Sequence, residues 1–132
     1  MRRPRFAQVA RTALTTLLLG GSAIRSPAEI VDIRWDSAQA FAHRQLLAPG
    51  RFAELCGPLA RGQIIVWSFK ADAPQDFNIH YHEGKDVVYP EQRKQVAEAE
   101  GRLEVALDQS YCWMWSNKSD MPVALQVSLQ RR

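Results

Sequence analysis

The stretch Val123-Ala-Leu-Gln-Val-Ser-Leu-Gln130 alternates apolar and polar side chains over its whole length. Successive side chains of a β-strand point to opposite faces, so this stretch predicts a strand with one face in the core and the other in solvent. Similar alternation occurs earlier in the chain, at residues 63–70, 76–83, 102–107 and 111–116. Short strands at spacings of about ten residues, with turn-forming residues between them, predict an all-β chain folded as an antiparallel β-sandwich.

Turn-forming residues mark the ends of these predicted strands. Proline fixes the backbone φ angle and glycine adopts a positive φ at little cost, so clusters of the two predict turns. The sequence Glu83-Gly84-Lys85 predicts a tight hairpin connection between two strands. Other predicted turns or strand ends are Ala48-Pro49-Gly50, Gly57-Pro58, residues 71–74, Pro90 and residues 117–120.

Two segments leave the secondary structure open. Residues 91–100 are rich in helix formers, and we expect a loop or one helical turn there, because strand alternation resumes only at Arg102. Residues 37–47 are compatible with a helix, and equally with a strand over residues 41–47.

The N-terminus has the composition of an export signal. Its first 23 residues contain four arginines and no acidic residue, and residues 13–21 form a mostly apolar run. Small residues follow, and cleavage after Ala23 or Ala28 satisfies the small-x-small rule for signal peptides. We therefore predict a removable signal peptide, residues 1–28, followed by one folded domain, residues 29–132. A mitochondrial transit peptide is the alternative, since such peptides are also arginine-rich and poor in acidic residues.

The leader also bears on the expected compartment and partners. Its apolar run is shorter than the roughly 20 residues that a membrane-spanning helix needs, so we expect a periplasmic or extracellular protein without an integral membrane span. The chain has a net charge of +3, and removing the first 23 residues with their four arginines leaves −1. The remainder has no basic stripe with interleaved aromatic residues, so we expect no nucleic-acid partner.

Local motifs for catalysis are missing from the sequence. It contains no nucleophile elbow, no phosphate-binding glycine loop and no HExxH motif. We therefore expect a binding protein rather than an enzyme, although such motifs do not report on an active site assembled from distant residues.

Three segments are similar to those of a known family: Trp67-Ser68-Phe69, Asp76-Phe77-Asn78-Ile79 and Tyr111-Cys112-Trp113-Met114-Trp115-Ser116-Asn117. From Cys56 onward the chain resembles the GOLD (Golgi dynamics) domain, the lumenal β-sandwich of small secretory-pathway cargo receptors. This resemblance implies a protein-interaction module, with a protein as its partner and no catalytic residues. Those receptors continue into a coiled coil and a membrane span, whereas this chain ends after its last predicted strand, so we expect a soluble, free-standing domain.

Cys56 and Cys112 lie where those receptors carry a disulfide. Two cysteines in an exported chain also invite pairing, and closing this loop would stabilise the fold by about 4 kcal/mol. The sequence leaves two alternatives open: a pair of buried thiols in a reducing compartment, and a role for Cys112 as a metal ligand.

His80 and His82 are the most distinctive local pair. Residues two apart on a strand project from the same face, which places two imidazoles within reach of one metal ion. Such a site favours copper or zinc, with Met114 or Met121 as its third ligand. The alternative is a pair of half-exposed strand histidines beside Asn78, with pH sensing or contact with a partner as further roles.

Trp113 and Trp115 share one face of the strand at residues 111–116. Core packing is the expected role of such large rings, but either one would be a natural anchor for a partner if it were exposed. Asn117-Lys118-Ser119 matches a glycosylation sequon, and its composition also predicts an ordinary turn.

Overall fold

The computed structural model describes residues 29–132, which form seven β-strands. The predicted signal peptide, residues 1–28, lies outside the described residues. Within residues 29–132, no helix has the length and apolarity to cross a membrane. The strands are β1 (Glu29–Asp32), β2 (Ala40–Leu47), β3 (Phe52–Leu59), β4 (Ile64–Glu83), β5 (Asp86–Glu104), β6 (Gln109–Ser116) and β7 (Val123–Arg131).

β4 and β5 form a long hairpin that organises the fold. The two strands are 20 and 19 residues long and pair antiparallel from end to end. Their connection confirms the predicted hairpin and contains Gly84, whose φ of 59° is a conformation that glycine adopts without steric cost. On its other edge, β4 pairs with β7 through residues 65–71 and with β6 through residues 76–80. β4 therefore has two different neighbours along that edge.

All seven strands belong to one hydrogen-bonded sheet, in the order β1-β3-β6-β4-β7-β2 with β5 beside β4. This sheet curls into two layers that share the hairpin, and we call each layer a sheet of the sandwich. One layer contains β5, β4, β7 and β2, and the other contains β5, β4, β6, β3 and β1. Among the described strands, all pairs are antiparallel except β1–β3, which is parallel. The predicted antiparallel β-sandwich is confirmed, and the short parallel pair is an addition that the sequence pattern did not indicate.

The core lies between the inward faces of the two sheets. Phe69 and Phe77, on either side of residues 71–74, contact each other with ring centres 4.8 Å apart. Trp115 of β6 packs against both rings, at 5.5 and 5.3 Å. Aromatic pairs of this kind contribute about 0.5–1.5 kcal/mol each beyond the burial of area. Other buried side chains include Leu55, Ile65, Trp67, Ile79, Tyr111, Trp113, Val123, Leu125 and Leu129.

β4 bends where the sequence predicted a turn. The strand continues through residues 71–74, and its pairing with β5 shifts register between Lys70 and Gln75. Pro74 has no N–H to donate and falls in this irregular stretch, where it removes no regular ladder bond. The side chain of Gln75 is fully buried, and its amide donates to the carbonyls of Ala73 and Pro74 at 3.2 and 2.7 Å. The predicted turn was wrong, because this bend carries β4 from one sheet to the other.

β5 runs through the segment for which we expected a loop or a helical turn. Residues 91–100 form part of the ladder with β4, and the strand continues past Pro90. Both expectations were wrong, because pairing with β4 outweighs the helix propensity of this segment. β4 is the only strand that β5 pairs with in the described chain, so Pro90 is accommodated on an edge strand.

The structure also corrects the predicted end of β3 and decides the secondary structure of β2. β3 continues through Gly57-Pro58 to Leu59, so the strand end expected there was wrong. Pro58 stays in register opposite Ser110 of β6. Residues 40–47 form a strand, which settles the open choice between helix and strand in that region.

The carboxylate of Asp76 holds three parts of the fold together at the bend. One oxygen accepts hydrogen bonds from the backbone N–H and the side-chain amide of Gln95, at 3.1 and 2.9 Å. Gln95 has a φ of 51°, so this contact supports an irregular point in β5. The other oxygen forms ion pairs with Lys118, at 2.5 Å, and with Lys94, at 3.6 Å. The hydrogen bond from Lys118 and then that from Gln95 hold the pKa of Asp76 well below its usual value, although burial opposes them.

We expect Asp76→Asn to lower the free energy of unfolding by about 1–3 kcal/mol near neutral pH, because the variant loses charge-assisted hydrogen bonds. The folded-state pKa is depressed, so the stabilisation is complete above the unfolded value near 3.8 and is lost as the pH falls through the folded value. Urea unfolding from about pH 7 to about pH 2 should therefore show the difference in stability between the two proteins shrinking once the pH falls below the unfolded value. A constant difference across that range would contradict this role of the charge.

Asn117 fastens the loop between β6 and β7 to the end of β2. Its side chain is 1% exposed, and its amide nitrogen donates to the carbonyls of Leu47, Ala48 and Met121 at 3.0, 3.3 and 2.8 Å. Its amide oxygen accepts hydrogen bonds from the backbone and hydroxyl of Ser119, at 3.0 and 2.7 Å. A glycan on this nitrogen is incompatible with the folded domain, so the sequon acts as a buried turn.

Asn117→Ala should cost about 2–4 kcal/mol of unfolding free energy, because it leaves buried carbonyls without their donor. Asp120→Ala is the matched control, since Asp120 is exposed in the same loop, and it should stay within about 0.5 kcal/mol of the wild type. Urea denaturation followed by tryptophan fluorescence measures both. Similar losses in the two variants would contradict the anchoring role of Asn117.

Candidate functional site

The outward face of the sheet formed by β3, β6 and β4 gathers the chemically distinctive side chains. Strand register places Glu54 opposite Met114, and Met114 opposite Asn78. The next row contains the two cysteines and His80. We call this surface the histidine face, and it consists of Glu54, Cys56, Asn78, His80, His82, Cys112 and Met114.

Cys56 and Cys112 form a disulfide between the adjacent strands β3 and β6. They are direct partners in the ladder, and their Cα atoms are 4.1 Å apart. The predicted pairing is confirmed, and the alternative of two buried thiols is wrong for this form of the protein. Both residues are partly exposed, so the bond lies on the histidine face rather than in the core.

His80 is a buried imidazole with a defined hydrogen position. Only 5% of the residue is exposed to solvent. Its Nδ1 lies 2.8 Å from Oδ1 of Asn78. An amide oxygen only accepts hydrogen bonds, so Nδ1 carries the hydrogen and Nε2 of the neutral ring carries a lone pair. That Nε2 lies 4.0 Å from a carboxylate oxygen of Glu54.

Burial favours the neutral form of His80. Desolvation is the largest influence and lowers the pKa of the imidazole, and the charge of Glu54 opposes it. A further lowering comes from His82. Near neutral pH, an imidazole lone pair therefore faces a carboxylate at the centre of the histidine face.

His80 and His82 lie close together but in different environments. Their ring centres are 5.4 Å apart and their planes are nearly perpendicular, at 85°. His82 is exposed and lies one row closer to the hairpin tip, opposite Val87 of β5. His80 instead directs one nitrogen to Asn78 and the other to Glu54. Binding of one metal ion by both histidines stays a prediction.

The two methionines proposed as metal ligands lie in different places. Met114 is on the histidine face, between Glu54 and Asn78 in the register. Met121 is 65% exposed in the loop after β6, and that loop begins beyond Ser116, about 13 Å along the strand from Cys112. The structure thus places Met114 on the same face as His80, one row away, and Met121 in the loop beyond the end of β6.

Trp113 and Trp115 are both 0% exposed, as the expected core packing requires, so the condition of exposure for a role as partner anchors is not met. They alternate with Cys112 and Met114 along β6, and their inward direction places both rings in the core. Among residues 29–132, Tyr89 of β5 is an exposed aromatic residue, and its ring centre lies 5.9 Å from that of His80.

Two residues on or beside the histidine face, Glu54 and Tyr89, were not identified from the sequence. Tyr89 precedes Pro90, where we expected a strand to end. The sequence pattern therefore did not indicate that Tyr89 lies on a continuous strand with its side chain pointing outward. Glu54 lies far from His80 in sequence, and only the register through β6 brings the two together. The nearest available signal for Glu54 was the disulfide, because pairing Cys56 with Cys112 sets Glu54 opposite Met114.

No protein-family model matches the sequence, and no curated protein matches it. Solved structures do share its architecture. PliG from Salmonella Typhimurium, a periplasmic lysozyme inhibitor of g-type lysozyme, superposes with a TM-score of 0.60 at 11% identity, covering 80% of this chain and 100% of that one. PliG from Aeromonas hydrophila, described in the same words, gives a TM-score of 0.56 at 13% identity, covering 79% and 98%.

A third similar structure is the pre-peptidase C-terminal domain of a collagenase from Bacillus anthracis. It superposes with a TM-score of 0.50 at 12% identity, covering 82% of this chain and 99% of that one. At such identities, the likeness of all three proteins to this chain shows the fold alone.

Proposed function

We propose that this chain is an exported, non-catalytic module that binds another protein. The observation that carries the proposal is the likeness of the whole folded domain to two periplasmic proteins whose names describe inhibitors, with TM-scores of 0.60 and 0.56. An inhibitor of an enzyme has to bind that enzyme, so the same architecture already serves protein recognition in that compartment. The resemblance to GOLD domains implies the same class of function and stays a prediction, since none of the three similar structures is a GOLD domain.

The disulfide supports export. Structural disulfides persist in the periplasm and outside the cell, and they are rare where glutathione and thioredoxin keep thiols reduced. Cys56 and Cys112 are bonded to each other, which fits a periplasmic or extracellular location. Nothing in the described residues favours the mitochondrial alternative.

We assign the contact with the partner to the tip patch, which consists of His82, Val87 and Tyr89. Val87 and Tyr89 are 38% and 47% exposed, and His82 is the ladder partner of Val87. Tyrosine offers a large apolar ring and a hydroxyl at low entropic cost, and it is enriched among residues that dominate binding energy. The patch lies on a hairpin whose other residues are held in two sheets, so little ordering is needed on binding.

A g-type lysozyme is the partner to test first, because it is the enzyme named for both periplasmic neighbours. At 11% and 13% identity, the binding residues of those proteins are not transferred to this chain. The tip patch is therefore proposed from its own exposure and composition.

Tyr89→Ala should weaken binding to a g-type lysozyme at least 10-fold, or about 1.4 kcal/mol, because it removes the one exposed aromatic side chain of the patch. Isothermal titration calorimetry with the purified full chain measures the affinity. Met121→Ala is the matched control, since Met121 is also exposed but lies in the loop between β6 and β7. It should leave the affinity unchanged.

Two results would contradict these assignments. Equal losses in Tyr89→Ala and Met121→Ala would rule out the tip patch as the contact surface. The binding function itself would be contradicted if the wild-type chain did not bind g-type lysozyme and also captured no periplasmic protein that the Tyr89→Ala variant fails to capture.

A further inference from the structure

Four metal-binding side chains converge on the histidine face from three strands. Ligand atoms of Glu54, His80 and Cys112 all lie within 4.8 Å of one another. The sulfur of Cys56 lies 3.9 Å from the second carboxylate oxygen of Glu54. Thiolate sulfur, imidazole nitrogen and carboxylate oxygen are the donors that bind Zn²⁺ in proteins.

Within the described chain, the carboxylate of Glu54 at the centre of this group has no ion pair with a lysine or arginine. Nε2 of His80 and Oε1 of Glu54 both present lone pairs and lie 4.0 Å apart. Within residues 29–132, neither atom accepts a hydrogen bond from an N–H or O–H group. A cation between them would be attracted by both groups.

Asn78 holds the imidazole in the orientation that a metal ligand needs. Metal-binding histidines usually donate their second ring N–H to an oxygen, which fixes the tautomer and aims the other nitrogen at the metal. The contact of 2.8 Å between His80 Nδ1 and Asn78 Oδ1 does the same here. It leaves Nε2 directed towards Glu54 and the sulfurs.

The sulfurs become ligands only when the disulfide is reduced. A dithiol reductant supplies two electrons and two protons, so that the S–S bond breaks and two thiols form while the reductant becomes a disulfide. Binding of Zn²⁺ then releases the two thiol protons and leaves two thiolates on the metal. Tetrahedral Zn²⁺ with bonds of about 2.3 Å to sulfur holds two sulfurs about 3.8 Å apart. Side chains whose Cα atoms are 4.1 Å apart on neighbouring strands reach that separation by rotation alone.

We propose that reduction of the Cys56–Cys112 disulfide creates a zinc site formed by the two thiolates, His80 and Glu54. The disulfide is partly exposed on the histidine face, so a dithiol reductant has access to it without unfolding the core. In the reverse step a second disulfide accepts the two electrons, takes two protons from solvent and becomes a dithiol, so that the Cys56–Cys112 bond reforms and the ion is released. The site is independent of the proposed binding function, because His82, Val87 and Tyr89 are not among its ligands.

The experiment titrates Co²⁺ and then Zn²⁺ into the full chain under anaerobic conditions, before and after reduction by a phosphine. The reduced wild type should bind one ion per chain with thiolate-to-cobalt charge-transfer absorption, and Zn²⁺ should displace the cobalt. The oxidised protein should show no such absorption. His80→Gln should weaken binding at least 100-fold and Glu54→Gln about 10-fold. His82→Gln is the matched control and should bind as the wild type does.

Several outcomes would overturn the proposal. One is a reduced wild type that binds no more tightly than the variant with both cysteines changed to serine. Another is equal affinity in His80→Gln and His82→Gln, which would indicate capture by the thiolates alone. A third is loss of the far-UV circular dichroism of the β-fold on reduction in the presence of equimolar Zn²⁺, because the site requires folded strands.

Discussion

The pairing of one strand with two different neighbours is the constraint on which this structure depends. β4 pairs with β7 before its bend and with β6 after it, while β5 follows it on the other edge throughout. The core-facing residues of β4 before and after the bend point to the same side of the strand. Phe69 and Phe77 therefore contact each other, and both contact Trp115. Two sheets thus share one hairpin and one core. Neither sheet can separate from the other without breaking a continuous backbone ladder.

The same constraint positions the chemistry. Because the second half of β4 lies beside β6, His80 lies in the row of Cys112, and Asn78 lies in the row of Met114. β3 completes these rows with Cys56 and Glu54. The end of the hairpin extends beyond them and carries the exposed side chains to which we assign the partner contact. The proposed binding surface and the proposed metal site therefore lie side by side, with different residues and different chemistry.

Local alternation was enough to predict much of this fold. In β6 it correctly separated an inward set with Trp113 from an outward set with Cys112, because the period of two is a property of each strand alone. It could not predict which strands pair. Residues 71–74 contain the small, acidic and proline residues that suit either a turn or a bulge, and only pairing with β5 distinguishes the two. Glu54 was beyond reach for the same reason, since it meets His80 through the register of three strands.

Native-state hydrogen exchange measured residue by residue tests the shared hairpin most directly. If β4 joins both sheets into one cooperative unit, the slowest amides at residues 65–71 and at residues 76–80 should open with the same free energy, equal to that of global unfolding. Increasing urea should lower both values together. Two different plateaus, with the strands around β7 opening while those around β6 remain protected, would contradict the account.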